Sequence, residues 1–224
     1  MANLFKPKKG QLMDSDFCGN SFEINSEKEL EELYGIPHEN VIKKQTDHIV
    51  DPGQAFIEAS PFLILATAGA NGVDCSPKGD APGFVQIPDP KTLLIPDRPG
   101  NNRIDGMKNI VQNSMVGLIF MVPGSSTTYR VNGRAIISID PNLLDRFLVR
   151  NKRPRAVIVV TVEEAFHHCP KAFVRSKFWT QLNDANIQSV PNTGTFAAYR
   201  DGGDEEYEQN YERDYQNRLK ESLY

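Results

Sequence analysis

Two polar clusters within residues 62–103 carry side chains in patterns that could do chemistry. The first is Arg98-Pro99-Gly100-Asn101-Asn102-Arg103, set between a predicted strand and a predicted helix. Backbone N–H groups and the positive end of a helix dipole converge at such a turn, which suits a phosphate. A guanidinium at each end adds planar, charge-assisted donors. The competing reading is a solvated loop in which Asn102 merely caps the helix. The second cluster is Ser76-Pro77-Lys78-Gly79-Asp80 at the end of a predicted strand. Strand alternation places Ser76, Lys78 and Asp80 on one face, offering a hydroxyl, an ammonium and a carboxylate to the same space. Its competing reading is a solvated face with a Lys–Asp pair.

Further basic residues lie downstream. Arg130 and Arg134 share one face of a predicted strand, where they either meet a second anionic group or are ordinary surface arginines. Lys171 and Arg175 are four apart on a predicted helix and therefore on one face. His167-His168-Cys169 invites a metal reading, but neighbours on a strand point to opposite faces and no second ligand group has zinc spacing, so no metal is expected. A Cys–His nucleophile would also need an orienting group that the sequence does not supply.

The elements that must hold these groups follow from periodicity. Ser26 and Glu29 have capping-box spacing ahead of Leu30, Leu33 and Tyr34, and Gly35-Ile36-Pro37 ends that helix. A short helix is predicted over 39–46, and another from Asp51, whose carboxylate would cap it, to before Pro61. Strands are predicted at 62–67, 73–78, 83–87, 92–95, 115–122, 128–139 and 156–162, with an Asn71-Gly72 hairpin turn after the first. A helix over 103–113 interrupts them, a second passes through Leu143, Leu144, Phe147 and Leu148, and a third runs from Cys169-Pro170 past Trp179. From Asp201 an acidic stretch bearing Tyr207, Tyr211 and Tyr215 reads as a solvated helix that packs its tyrosines on a neighbour, without chemistry of its own. Six or seven strands joined mostly by short turns predict a mainly β fold with peripheral helices, a closed antiparallel barrel without exposed strand edges, with a sandwich as the alternative.

With 224 residues and 39% hydrophobic content, the chain can bury one substantial core. A net charge of −4 gives no general attraction to nucleic acid or anionic membrane, so any anion site is local and its ligand small. Three widely spaced cysteines read as reduced thiols. No signal-peptide core or membrane-span-length run is present, so a cytoplasmic, membrane-free protein is expected.

Taken together, these residues resemble the pyridoxamine 5′-phosphate oxidase-like family of FMN-binding split barrels. The likeness runs over about 61–139, and Cys169-Pro170-Lys171-Ala172-Phe173-Val174-Arg175-Ser176-Lys177-Phe178-Trp179 looks like an uncharacterised subgroup within it. The resemblance implies a six- or seven-stranded antiparallel split barrel over 61–168, preceded by an arm and helices in 1–60 and followed by a helical extension in 169–224. It implies FMN, with Ser76, Lys78 and Asp80 on the ring side and Arg98, Asn101, Asn102 and Arg103 on the phosphate side. It also implies a homodimer with FMN at the subunit interface, where Arg130, Arg134, Lys171 and Arg175 come from the partner or close the site. The implied activity is an FMN-dependent oxidoreductase passing hydride or electrons from a reduced nicotinamide or small organic substrate to oxygen or another acceptor. The alternative is a non-catalytic flavin- or haem-binding barrel that stores, senses or carries its ligand. The vitamin oxidase ends in an arginine motif that reads the substrate phosphate, whereas this chain ends in Thr195-Phe196-Ala197-Ala198-Tyr199-Arg200 and an acidic tail, so pyridoxamine phosphate is not the expected substrate.

Overall fold

A computed structural model describes residues 23–70, 72–180 and 190–222. The chain forms two compact units, Met1–Ile42 and Lys43–Tyr224. In the first, helix α1 (Glu27–Tyr34) opens on Ser26, whose hydroxyl accepts from the Glu29 N–H, and closes at Gly35 with φ 72°. Glu29 completes the cap on the Asn25 N–H at 2.9 Å rather than on Ser26. The next helix, α2 (Glu39–Lys43), stops short of the predicted Thr46. Thr46 instead exchanges backbone hydrogen bonds with Ala165 at 3.0 and 2.8 Å, so this segment is claimed by a strand.

The second unit begins with α3 (Asp51–Ala59), whose N-cap is Val50; Asp51 lies inside the first turn and makes no side-chain cap. Seven antiparallel strands follow: β1 (Phe62–Gly69), β2 (Gly72–Gly79), β3 (Gln86–Asp89), β4 (Thr92–Asp97), β5 (Met115–Met121), β6 (Thr128–Ser138) and β7 (Ala156–His168). They lie in the order β2-β1-β5-β6-β7-β4-β3, so β2 and β3 are the edges of one curled, unclosed sheet. Helix α4 (Asp105–Gln112) connects β4 to β5, and α5 (Pro141–Asp145) connects β6 to β7. The C-terminal helices are α6 (Lys171–Ser176), α7 (Thr193–Asp201) and α8 (Glu205–Ser222). This is the mainly β split barrel with peripheral helices that the resemblance implies; the closed barrel read from the strands alone is not formed, because β2 and β3 do not pair and remain edges.

Alternation builds the core. Leu63 and Leu65 of β1, Phe120 of β5, Val131 of β6 and Val160 of β7 point inward and are almost wholly buried, with Ile57 of α3 closing one end. Fully burying such side chains is worth about 1.5–3 kcal/mol each. Pairing between β6 and β7 slips one residue at Asn132/Gly133, and such a bulge tightens the sheet's bend. Only glycine fits there, because a Cβ on Gly133 would lie 2.0 Å from the Thr161 carbonyl oxygen.

Several boundaries differ from the periodicity. The apolar residues Phe84 and Val85 are buried, but residues 81–84 form a turn with Gly83 at φ 82°, and β3 starts only at Gln86. The predicted helix through Leu148 ends at Asp145, freeing Phe147 to pack with Leu94 and Val157 on the outer face of the sheet. β7 runs six residues beyond the predicted Val162, to His168. α6 ends at Ser176 because Lys177 turns left-handed, and Trp179 lies beyond the helix, donating its indole N–H to the Ser125 carbonyl at 2.7 Å. Asn71 falls outside the described residues; Gly72 beside it has φ 109° and faces Gly69 across the hairpin. Among the described residues no helix is long and apolar enough to cross a membrane.

Candidate functional site

The period of two on β2 turns Asp74, Ser76 and Lys78, and Asp80 just beyond, to one half-buried face, while Val73, Cys75 and Pro77 face outward. β2 is one edge of the sheet, and β4 lies second from the other, so these residues face the open seam of the barrel. Two ion pairs bridge that seam: Lys78 Nζ to Asp97 at 2.7 Å and Arg98 Nε to Asp80 at 2.8 Å. Asp80 retains only 6% of its side-chain exposure and Arg98 17%, which sets this pair apart from a surface contact. Arg98 also donates to the Phe147 carbonyl at 2.7 Å. The Lys78–Asp80 pair of the competing reading is therefore replaced by a crossed set between the two sides of the seam.

A cleft of about 1030 Å³ opens along this seam, at the upper end of the roughly 300–1,000 Å³ typical of small-molecule sites. Its polar walls are the inward face of β2 and the turn from Arg98 through Arg103; Leu65, Phe84 and Met107 give it an apolar part. Within the turn Asn102 has φ 62° and accepts from Arg155 at 2.6 Å. It does not cap α4, whose N-cap is Ile104 without a side-chain bond. Arg103 pairs with Asp105 at 2.6 Å. The hydrogen bond between them raises the guanidinium's pKa and lowers that of the carboxyl. Above Gly100 there is open space, since a Cβ there would meet nothing within 4 Å.

Helix α4 fixes the geometry of both walls. Buried Asn109 donates to Thr67 at 3.2 Å, and Gln112 accepts from the Ala70 N–H at 2.9 Å, tying the helix to the β1–β2 hairpin. Gly106 allows the first turn to lie against β2, for its Cβ would sit 2.8 Å from an Asp74 carboxylate oxygen. That carboxylate already faces the helix N-terminus, so the room for an anion lies towards Gly100 and the Arg98, Arg103 and Arg155 side chains.

All seven residues chosen from 76–103, namely Ser76, Lys78, Asp80, Arg98, Asn101, Asn102 and Arg103, line this one cleft. Arg130, Arg134, Lys171 and Arg175 do not. The Arg130 guanidinium lies 5.1 Å from the centre of the Phe166 ring, with Lys44 at 5.6 Å from the same ring. Arg134 pairs with Glu163 at 2.9 Å on the surface, and Lys171 and Arg175 are exposed on α6. Near them the His168 pKa is lowered, first by burial and then by Arg130 and Lys44. Sequence reasoning missed Asp74, Arg155, Tyr215 and Arg218. Asp74 was visible as the preceding member of the 76/78/80 alternation, whereas Arg155 lies in a basic loop with no period to single it out.

The family model for pyridoxamine 5′-phosphate oxidase matches residues 50–169, more than half of the chain. The chain belongs to this family. The match covers every strand and the cleft-lining residues from Leu65 to Arg155, and ends before α6. Solved structures similar to this family member include HupZ of Group A Streptococcus, at 24% identity over 53% of this chain and 93% of that one, with a TM-score of 0.44. A candidate pyridoxamine 5′-phosphate oxidase from Lactobacillus delbrueckii is 25% identical over 54% of this chain and 95% of that one, with a TM-score of 0.43. An FMN-binding protein from Syntrophomonas wolfei is 12% identical over 63% of this chain and 93% of that one, with a TM-score of 0.41. No curated protein matches the chain.

The donor set fits FMN. Guanidiniums and amides crowd one end of the cleft, a hydroxyl and an ammonium line its β2 wall, and apolar side chains accompany them.

Proposed function

We propose that this protein binds FMN in the seam cleft and serves as an FMN-dependent oxidoreductase. The observation that carries the proposal is the convergence of the β2 face and the Arg98–Arg103 turn on a single cleft of ligand size. Bound there, FMN would supply hydride or electron transfer between a reduced nicotinamide or small organic donor and oxygen or another acceptor. Arg98, Arg103 and Arg155, with Asn101 and Asn102, hold the phosphate. Ser76 and Lys78 are assigned to the ring side, where the ammonium stabilises negative charge gained by the ring and Asp97 moderates that effect. Asp80 anchors Arg98 rather than touching the ligand.

The functional form is proposed to be a homodimer in which Arg130, Lys171 and Arg175 of each chain complete the partner's cleft. None of the three lines the cleft of its own chain, which leaves a partner's cleft as the one they would serve. Cys75 and Cys169, both exposed free thiols, accord with a cytoplasmic setting.

The absorbance spectrum of the protein as isolated tests the proposal. Visible flavin bands that bleach anaerobically with NADH or NADPH and return in air are expected of the oxidoreductase. A second reading, a carrier or sensor of flavin, is favoured by one feature: among the described residues lining the cleft there is no imidazole or thiol to move protons. It predicts flavin bands that no reduced nicotinamide or organic donor bleaches. A colourless protein that does not take up added FMN contradicts both.

A further inference from the structure

The acidic C-terminal segment, expected to be a solvated helix, ends against the cleft. Helix α8 is held to α7 along its first half: Gly194 N–H donates to Glu212 at 3.0 Å, Thr195 Oγ1 donates to Glu208 at 2.6 Å, and Tyr207 Oη donates to Asp201 at 2.8 Å. The close approach requires Gly194, whose Cβ would lie 2.3 Å from the Glu208 carbonyl oxygen. Further along, Tyr215, Arg218 and Leu219 fall three and four apart on one face and line the cleft. Glu205, Glu206 and Glu208 lie in its first turn and do not line the cleft, while Arg218 and Lys220 sit in its last turns together with Glu221.

We propose that α8 is a wall of the ligand site and that Tyr215 and Arg218 contact the bound ligand; the assignment rests on the flavin reading of the cleft. Electrostatics carry it. Apart from Arg218, the cleft is lined by Lys78, Arg98, Arg103 and Arg155 on one side of the balance and by Asp74, Asp80, Asp97 and Asp105 on the other. With Arg218, whose guanidinium lies 5.5 Å from the centre of the Tyr211 ring, the lining as a whole carries a formal excess of one positive charge, the sign that suits a phosphate-bearing ligand. Tyr215 supplies a flat, amphipathic surface one turn earlier, suited to packing on a planar ring. Neither residue belongs to the buried core, so each can be removed without dismantling the barrel.

FMN titrations followed by flavin fluorescence, with thermal melts on the same samples, test the assignment. Arg218→Ala is expected to weaken FMN binding about tenfold, the worth of one charge-assisted contact, with the deficit shrinking at high salt. Arg218→Lys is expected to recover part of it, and Tyr215→Ala to weaken binding about fivefold, as lost ring packing would. Melting temperatures should stay at the wild-type value. Arg213→Ala, an exposed guanidinium on α8 that does not line the cleft, serves as the control and should bind FMN as the wild type does. Wild-type affinity in both the Tyr215 and Arg218 alanine variants overturns the assignment, as does an equal loss in Arg213→Ala. A wild-type protein that binds no FMN overturns the flavin reading itself, and this assignment with it.

Discussion

Two groups of basic side chains in this barrel look alike in sequence and behave differently in space. Lys78, Arg98 and Arg103 sit beside carboxylates in or next to the seam, where the charges are held at fixed positions around a concave space. Arg130, Arg134, Lys171 and Arg175 lie on β6 and α6 and do not line that space: Arg130 packs on a phenyl ring, Arg134 pairs with a surface glutamate, and Lys171 and Arg175 are exposed. The difference is one of topology. The first group stands at the two sides of an unclosed sheet, so the Lys78–Asp97 and Arg98–Asp80 pairs both close the seam and preorganise donors, while Arg103 is held by its neighbour Asp105. Of the second, Arg130 and Arg134 stand on the β6–β7 ladder, which backbone hydrogen bonds hold together on both sides of its bulge, and Lys171 and Arg175 stand on α6 beyond it.

The comparison breaks most sharply at Arg98. Its removal leaves Asp80 as a nearly buried carboxylate without that guanidinium, a loss of about 3 kcal/mol, and should abolish measurable FMN binding. Urea denaturation with flavin titration would show both effects, and an unchanged stability would mean the seam is not held by this pair. Next in size is Gly69→Ala, whose Cβ would lie 2.3 Å from the Asn109 side-chain oxygen. Overpacking where α4 clamps the β1–β2 hairpin should cost about 2 kcal/mol, read by the same denaturation.

Complementation sharpens the second half of the comparison. If Arg130 serves the partner's cleft, Arg98→Ala and Arg130→Ala proteins each bind FMN poorly alone, yet mixed dimers regain one intact site. Absence of recovery after subunit exchange would confine each site to one chain. Arg134→Ala should be milder, costing under about 0.5 kcal/mol, because both Arg134 and Glu163 are more than half exposed.

The smallest effect is one of pH. His168 has a folded-state pKa below its unfolded value near 6.5, so the unfolded chain binds the extra proton first. Its contribution is complete above about pH 6.5 and is lost as the pH falls from there through the lowered folded value. The slight acid-side loss of stability should vanish in His168→Gln when melting temperature is followed against pH.

The local rules were legible in the sequence wherever one period governed. Alternation gave the inward face of Ser76, Lys78 and Asp80, and helical spacing gave α4 to within two residues at its start. What the sequence withheld was non-local. Lys78 meets Asp97 and Asp80 meets Arg98 only because seven strands curl until β2 approaches β4, and no spacing along the chain encodes that meeting. Likewise, the apolar character of Phe84 and Val85 reported burial correctly but not strand pairing, because burial in a turn and burial in a ladder leave the same composition. On α8 the expected packing on a neighbour holds for Tyr207, which bonds Asp201 of α7, whereas the position of Tyr215 on the cleft could not be read because the cleft exists only after folding.

The most direct test is a fluorescence titration of FMN into flavin-free protein, run for the wild type and for the Arg98→Ala/Arg103→Ala double variant. Saturable quenching in the wild type and none in the double variant is the predicted result. Equal affinity in the two proteins would contradict the account, because it would place the phosphate somewhere other than the seam cleft.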